Sequence, residues 1–408
     1  MNYRIKGIFI KAAAAMAIVT ICGGCAKSIG VKGNSDAGRQ AIGFSAFTHL
    51  TKASAIVGEG GARNEGFKME AFKMSGIAAG NGVTAEDFFS NPFGFGINSA
   101  YPDSWNTDPT HYWPVTAVTD PAAESVATES LSFFSYGPTS EDGKFSITFD
   151  NNSYSGTVNR TLPKLNVSVA ALNQDQKDIL AAMAEFNYWE SNNKVNIQYN
   201  HILSAITFSA KTTNSDFKFI VDEIVVGVTG NDKAAGRLFP AGTYSFSANN
   251  TKGTWSNQTG DQTYYDVPLG SAVEITKENT SDPIQLNTES GILMLIPQQL
   301  NTTGAEAYFF VKYRSFHKNG EAWENEKETS KFALLHTTGM VKWEAGKKYN
   351  YVLNLEDIDQ KPIEYEVYVT NWEDWYETSP DIDIDFQNDI NSESLPTFEE
   401  GTGFETNW

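Results

Sequence analysis

Apolar and polar residues alternate with a period of two along most of the chain from residue 40 onward. Phe145, Ile147 and Phe149 are separated by polar residues, as are Leu165, Val167 and Val169, and Val195, Ile197 and Tyr199. The rhythm returns at Ala307, Phe309, Val311 and Tyr313, at Tyr349, Tyr351, Leu353 and Leu355, and at Ile363, Tyr365, Val367 and Val369. A strand turns successive side chains to opposite faces, so each run offers one row to a core and one to water. Turn-forming residues such as Asn151-Asn152, Gly253 and Gly346 bound the runs. Many short strands with almost no helix between them predict an all-β chain built of sandwiches. The single helical candidate is residues 173–186. There Asn173 or Asp175 is placed to cap, and Ile179, Leu180, Met183 and Phe186 share a face.

The start of the chain differs in kind, and residues 1–24 read as an export leader. Arg4, Lys6 and Lys11 supply its positive charge. Residues 12–21 supply an apolar stretch, too short for a bilayer span of roughly 20 residues. The leader ends Ile21-Cys22-Gly23-Gly24-Cys25, which is similar to a bacterial lipobox, with Cys22 where a Leu is usual. Acylation of Cys25 (by palmitate among other chains) and a place on the outer membrane at the cell surface are expected; plain secretion is the alternative. Residues 25–39 are small and polar and read as a tether. What remains exceeds one ordinary sandwich. The polar stretch 188–194 is the expected boundary between an N-terminal sandwich, residues 40–193, and a C-terminal one, residues 194–377. Residues 378–408 form an acidic tail with no basic residue. Within it Asp381-Ile382-Asp383-Ile384-Asp385-Phe386 alternates strictly, as suits a strand that pairs with another sheet's edge.

Charge and chemistry narrow the function. A net charge of −20 over 408 residues repels phosphate backbones and disfavours nucleic acid as a partner. Cys22 and Cys25 are the only cysteines, so the mature chain has no internal disulfide and no cysteine metal site. No G-x-S-x-G elbow occurs, since Gly43-Phe44-Ser45-Ala46-Phe47 fails at its last position. The five histidines are scattered without zinc-binding spacing. Gly58-Glu59-Gly60-Gly61-Ala62-Arg63 lacks the Lys-Ser/Thr pair of a phosphate loop. Asp381, Asp383 and Asp385 open like a calcium loop, but Phe386 and Ser392 stand where Gly and Glu are needed. Glu373 and Asp374 are adjacent, so in a strand they face opposite ways and cannot flank one glycosidic bond. No catalytic residue, metal or cofactor is expected. Most aromatic residues fall at core positions; Trp105, Trp113 and Trp189 are the least committed. They are the candidate platform of an alternative reading, a glycan-binding outer-membrane lipoprotein that does not polymerise.

A series of motifs also runs along the chain in order. It begins with Tyr112-Trp113-Pro114-Val115, Leu131-Ser132-Phe133-Phe134-Ser135-Tyr136-Gly137-Pro138 and Gln176-Lys177-Asp178-Ile179-Leu180-Ala181-Ala182. Val195-Asn196-Ile197-Gln198-Tyr199-Asn200-His201-Ile202-Leu203-Ser204 and Gly291-Ile292-Leu293-Met294-Leu295-Ile296-Pro297-Gln298 follow. Trp343-Glu344-Ala345-Gly346-Lys347-Lys348-Tyr349 and Asn371-Trp372 complete it. Behind a lipoprotein leader, this order resembles the fimbrillins, or type V pilins, and their fimbrillin-like relatives, over residues 40 to about 375.

The resemblance implies two tandem transthyretin-like β-sandwich domains in a structural fimbrial subunit or surface adhesin, with no enzymatic activity. Its implied partners are other fimbrial subunits and a trypsin-like maturation protease that cuts after Arg or Lys between the first two strands. Loss of the first strand then opens a groove that a neighbour's strand fills, since an unpaired edge beside an empty apolar slot is costly. Mapped here, the first strand is about residues 40–50, with Ile42, Phe44 and Ala46 as the displaced row, and the second is about residues 67–74. Arg63, among Gly60, Gly61 and Asn64, is the favoured cut, with Lys52 and Arg39 next. Arg63 reads equally well as an ordinary exposed loop arginine. The tail reads either as the donor segment or as the mark of a tip, an anchor or a non-polymerising relative.

Overall fold

The computed structural model describes most of residues 41–372. Outside the description lie 1–40, 49–66, 76–83, 89–92, 96–104, 107–109, 115–129, 139–142, 152–153, 155–160, 188–194, 248–251, 271, 278–281, 289–290, 357–362 and 373–408. The strands begin with β1 (Gly43–Thr48), β2 (Phe67–Ser75), β3 (Thr84–Asp87), β4 (Phe93–Phe95), β5 (Trp105–Asn106) and β6 (Ser130–Gly137). Next are β7 (Ser146–Asp150), β8 (Lys164–Ser168), β9 (Leu180–Asn187) and β10 (Val195–His201). β11 (Ser204–Lys211), β12 (Phe217–Val228), β13 (Ala241–Ser245) and β14 (Thr254–Thr259) follow. Four short strands come after them: β15 (Tyr265–Asp266), β16 (Glu274–Ile275), β17 (Ile284–Gln285) and β18 (Leu293–Leu295). The last are β19 (Tyr308–Asn319), β20 (Ala322–Leu334), β21 (Lys347–Asn354) and β22 (Glu364–Asn371). The chain is all-β, as the alternation predicts. In β8, Leu165 and Val167 are buried while Asn166 is exposed; in β10, Val195, Ile197 and Tyr199 are buried while Asn196 and Gln198 are exposed.

These strands make four sheets. The largest has the order β3-β2-β6-β9-β10-β1-β5, with β4 also on β2. It doubles over at β10, whose residues 195–199 pair with β1 while Asn200 and His201 pair with β9. The two layers so formed enclose a core of Phe44, Val195, Ile197 and Tyr199 from one side and Phe67, Met69, Leu131 and Phe133 from the other. Phe44 meets Phe133 edge-on with ring centroids 5.2 Å apart, although β1 and β6 are three places apart in the sheet. The opposite face of β2, β6 and β9 turns Phe72, Phe134, Tyr136 and Met183 into a second core. A four-stranded sheet, β14-β13-β8-β7, supplies Phe246 at 5.2 Å from Phe134 and Phe149 stacked 5.8 Å from Tyr136.

The remaining strands form two five-stranded sheets, β17-β11-β21-β22 with β18 on β11, and β15-β12-β19-β20 with β16 on β12. Between them Phe208 of β11 stacks on Tyr351 of β21 at 5.2 Å and meets Phe309 of β19 edge-on at 5.5 Å. Such aromatic contacts add roughly 0.5–1.5 kcal/mol each beyond the apolar area they bury.

Residues 173–186 are not a helix. One 3-10 turn spans Asn173–Asp175, and the rest leads into β9. The reason is burial on both faces: Leu180, Ala182 and Ala184 point into one core, and Ile179, Ala181 and Met183 into the other. A strand covered on both sides has no polar row, so its period of two vanishes and helical spacings arise by coincidence. The expected break at residues 188–194 lies outside the described residues, and it is not a sheet boundary. β10 joins β9, and β13 joins β8, so two sheets take strands from both sides of it. Phe208→Ala is expected to cost about 3–5 kcal/mol in urea unfolding, because a fully buried ring with aromatic neighbours leaves a cavity. A loss below about 1 kcal/mol would show that this layer is not close-packed.

Candidate assembly interface

The first described strand is paired along both of its edges. β1 pairs in parallel with β10, Phe44 opposite Val195 through Thr48 opposite Tyr199, and antiparallel with β5, Phe44 opposite Trp105. Just before it, Ala41 bridges Tyr112, and the Ile42 N–H donates to the His111 carbonyl at 2.9 Å. Ile42 and Phe44 are each 1% exposed. They fill the space between the two layers, and each contributes about 1.5–3 kcal/mol of burial. The backbone of Ala46 pairs with that of Ile197. Along 195–199 one side of β10 is paired by β1, so without β1 that side becomes an open edge.

The base of this slot is polar at one point, and it is satisfied there. The Tyr199 hydroxyl and Ser135 Oγ are 2.6 Å apart, and Ser135 donates to the Lys68 carbonyl at 2.9 Å. Tyr199 therefore donates to Ser135, and the relay ties β10 to β6 and β2. Burial pushes the Tyr199 phenol well above its ordinary value, the Ser135 bond opposing this only in part. A second buried polar group lies where β9 begins and β10 and β22 end. His201 Nδ1 is 2.7 Å from Asp178 Oδ2, with both side chains buried, and the His201 ring stacks on Trp372 at 4.6 Å and 5°. This clasp fixes the last described residue to the corner strand.

Several sequence-predicted sites lie outside the described residues: Cys25, Arg39, Lys52, Arg63 and Trp189. Trp105 is in β5, opposite Phe44. Trp113 corrects the alternative reading. It is 1% exposed and packs edge-on against Phe133 at 6.2 Å, so its face is closed to a sugar. The parallel partner β10, the cover strand β5 and the Asp178–His201–Trp372 clasp were not foreseen. Alternation reveals which row is buried but not which strand lies beside it, and a partner far along the chain leaves no local signal.

The arrangement can pair and pack strands. Among the described residues no group of three His, Cys, Asp or Glu side chains is placed to hold a metal. The sequence matches the fimbrillin-like family over residues 78–372. The chain belongs to that family. The fimbrillin-like structure is similar to that of a fimbrial protein from Bacteroides vulgatus, with 20% sequence identity and a TM-score of 0.58, over 81% of this chain and 99% of that one. A fimbrilin from Porphyromonas gingivalis is similar over 81% of this chain and 97% of that one, with 9% identity and a TM-score of 0.34. No curated protein matches the sequence. The family is the fimbrillin-like one, and the fold is that of a fimbrial protein.

Tyr199→Phe removes the hydroxyl and leaves Ser135 without its donor, a cost of about 1–2 kcal/mol near neutral pH. The phenol is raised in the folded chain, so the unfolded chain loses its proton first, and the stability this group contributes falls above about pH 10. The gap between wild type and variant is therefore expected to narrow at high pH in paired urea titrations. An unchanged gap would mean that the phenol is not buried as described.

Proposed function

We propose that this fimbrillin-like chain is a structural fimbrial subunit of the cell surface, assembled by donor-strand exchange with β1 as the displaced strand. It is exported as a lipoprotein on Cys25, carried to the outer membrane, and cut after Arg63 by a trypsin-like protease, with Lys52 and Arg39 as secondary sites. Its partners are other subunits of the same fimbria. One observation supports this reading above the rest: β1 is paired on both sides and drives Ile42 and Phe44 into the core. Residues 49–66 lie between it and β2, and Lys52 and Arg63 are the only Lys or Arg among them.

The energetics favour exchange over simple loss. Two buried apolar side chains, each worth about 1.5–3 kcal/mol, and a row of backbone bonds hold β1 even after a cut. A replacement strand has to alternate in the same way. Residues 381–386 do so, with Ile382, Ile384 and Phe386 at every second position, and they are the proposed donor from the neighbouring subunit.

Trypsin treatment of the full mature chain tests this, read by N-terminal sequencing, gel filtration and electron microscopy. The expected outcome is a new N terminus at Asn64 and growth of oligomers. Arg63→Ala should suppress both, and deletion of residues 378–408 should allow the cut but stop growth. A chain cut after Arg63 that stays monomeric would refute assembly by strand exchange.

A further inference from the structure

A second concave feature shares no residue with the β1 slot. A cleft of about 510 Å³ opens between β14, residues 297–299 and residues 342–345. This volume falls within the ~300–1,000 Å³ of small-ligand sites. Its lining is rich in amides, with Gln258, Gln298 and Gln299 beside Trp255, Lys252 and the pair Lys342 and Glu344.

A local irregularity of the backbone builds the cleft. Among the described residues β14 is an edge strand, paired with β13. Ala241 lies opposite Thr259, but Thr243 lies opposite Ser256, so β14 carries one extra residue. Asn257, within that step, adopts a left-handed φ of 48°. In an unbroken strand, residues three apart face opposite sides. The bulge turns Trp255 and Gln258 into the same cleft. A non-glycine residue held in this region costs on the order of 1–3 kcal/mol.

The groups in the cleft are fixed from behind. The Trp255 indole lies on Gly242, where an added Cβ would come within 3.2 Å of its ring. Its Nε1–H donates to the Ile202 carbonyl at 2.6 Å. Gln298 accepts the Phe239 N–H at 2.9 Å and donates to the Phe239 and Ile296 carbonyls, so it is a strut. Gln258 donates to the Pro297 carbonyl at 3.2 Å, which orients its amide. Gln299 is exposed and bonds Asn301. Lys342 Nζ and Glu344 Oε1 are 3.0 Å apart, each about half-exposed, and cancel each other's charge.

A rigid aromatic ring among amides, with charges of both signs around it (Lys252, Lys342 and Glu344), matches a ligand with an apolar C–H face, many hydroxyls and no net charge. A purely aliphatic ligand would leave the amides unpaired, and an anion would meet Glu344. We infer that this cleft binds a neutral oligosaccharide, with Trp255 as the stacking face and Gln258, Gln299 and Lys342 as hydrogen-bonding groups. The inference does not depend on strand exchange, and either can fail alone.

Isothermal titration of the full mature chain with maltotriose, cellotriose and N-acetyllactosamine tests it, supported by tryptophan fluorescence. At least one of these is expected to bind at millimolar concentrations. Gln258→Ala should weaken that binding about tenfold, one amide hydrogen bond being worth roughly that much. Trp255→Ala should abolish it, and Lys342→Ala provides a second surface variant if the tryptophan variant fails to fold. Thermal melting is recorded for each. Absence of binding by all three saccharides, or binding that survives both Gln258→Ala and Lys342→Ala unchanged, would overturn the assignment.

Discussion

The N-terminal half of the structure depends on one strand serving two layers. β10 gives its first five residues to β1 and its last two to β9. A strand that leaves one layer for another at a corner must satisfy its backbone in both, and the side chains at the corner cannot reach water. Asn200 and His201 are accordingly buried, and His201 stays so because Asp178 pairs with it and Trp372 covers its ring. Breaking a buried pair by removing one partner typically costs several kcal/mol. The corner therefore links three distant parts of the sequence and holds β10 in position whether or not β1 is present.

That fixed position gives the proposed exchange a physical basis. While β1 is covalently attached, its effective concentration beside β10 is far above that of any strand from another chain, so an intruder cannot compete. Cutting the connection removes this advantage without removing any contact. β1 and a donor then compete on equal terms, and the longer or better-packed strand wins. In the proposed exchange, proteolysis is a timer: the slot is built and protected during folding and becomes available only after the cut.

How much of this was legible in the sequence depends on how many faces of a strand are buried. β8 and β10 have one exposed row, and their alternation placed them and their core residues correctly. β9 has none, so its run Leu180-Ala181-Ala182-Met183-Ala184 imitates a helix. Trp113 looked uncommitted because no alternating run surrounds it; the face that buries it comes from β6, distant in sequence. The Trp255 cleft was invisible for a related reason. Trp255 and Gln258 share a face only because Asn257 is left-handed, and nothing in Ser256-Asn257-Gln258 announces a bulge. Long-range pairing and irregular backbone, not residue type, are what a single sequence conceals.

A polymer built by strand addition requires other sheet edges to refuse partners, and most of the described edges do so in recognisable ways. β3, β5, β15 and β17 are short. β20 is long, but it carries Glu324, Glu326, Lys327, Glu328 and Lys331, and an extra residue at a left-handed Asn325 (φ 56°) breaks its register with β19. β14 uses the same device at Asn257. Charge and bulges make an edge a poor template. On β22, Glu364 and Glu366 take that part although Tyr368 and Val369 remain exposed. Against these, residues 195–199 form an alternating edge with Val195, Ile197 and Tyr199 aimed into a waiting core, and the native chain keeps it covered by β1. In the proposed exchange, the edge chemistry that would make a sheet protein aggregate is used here under the control of a covalent connection.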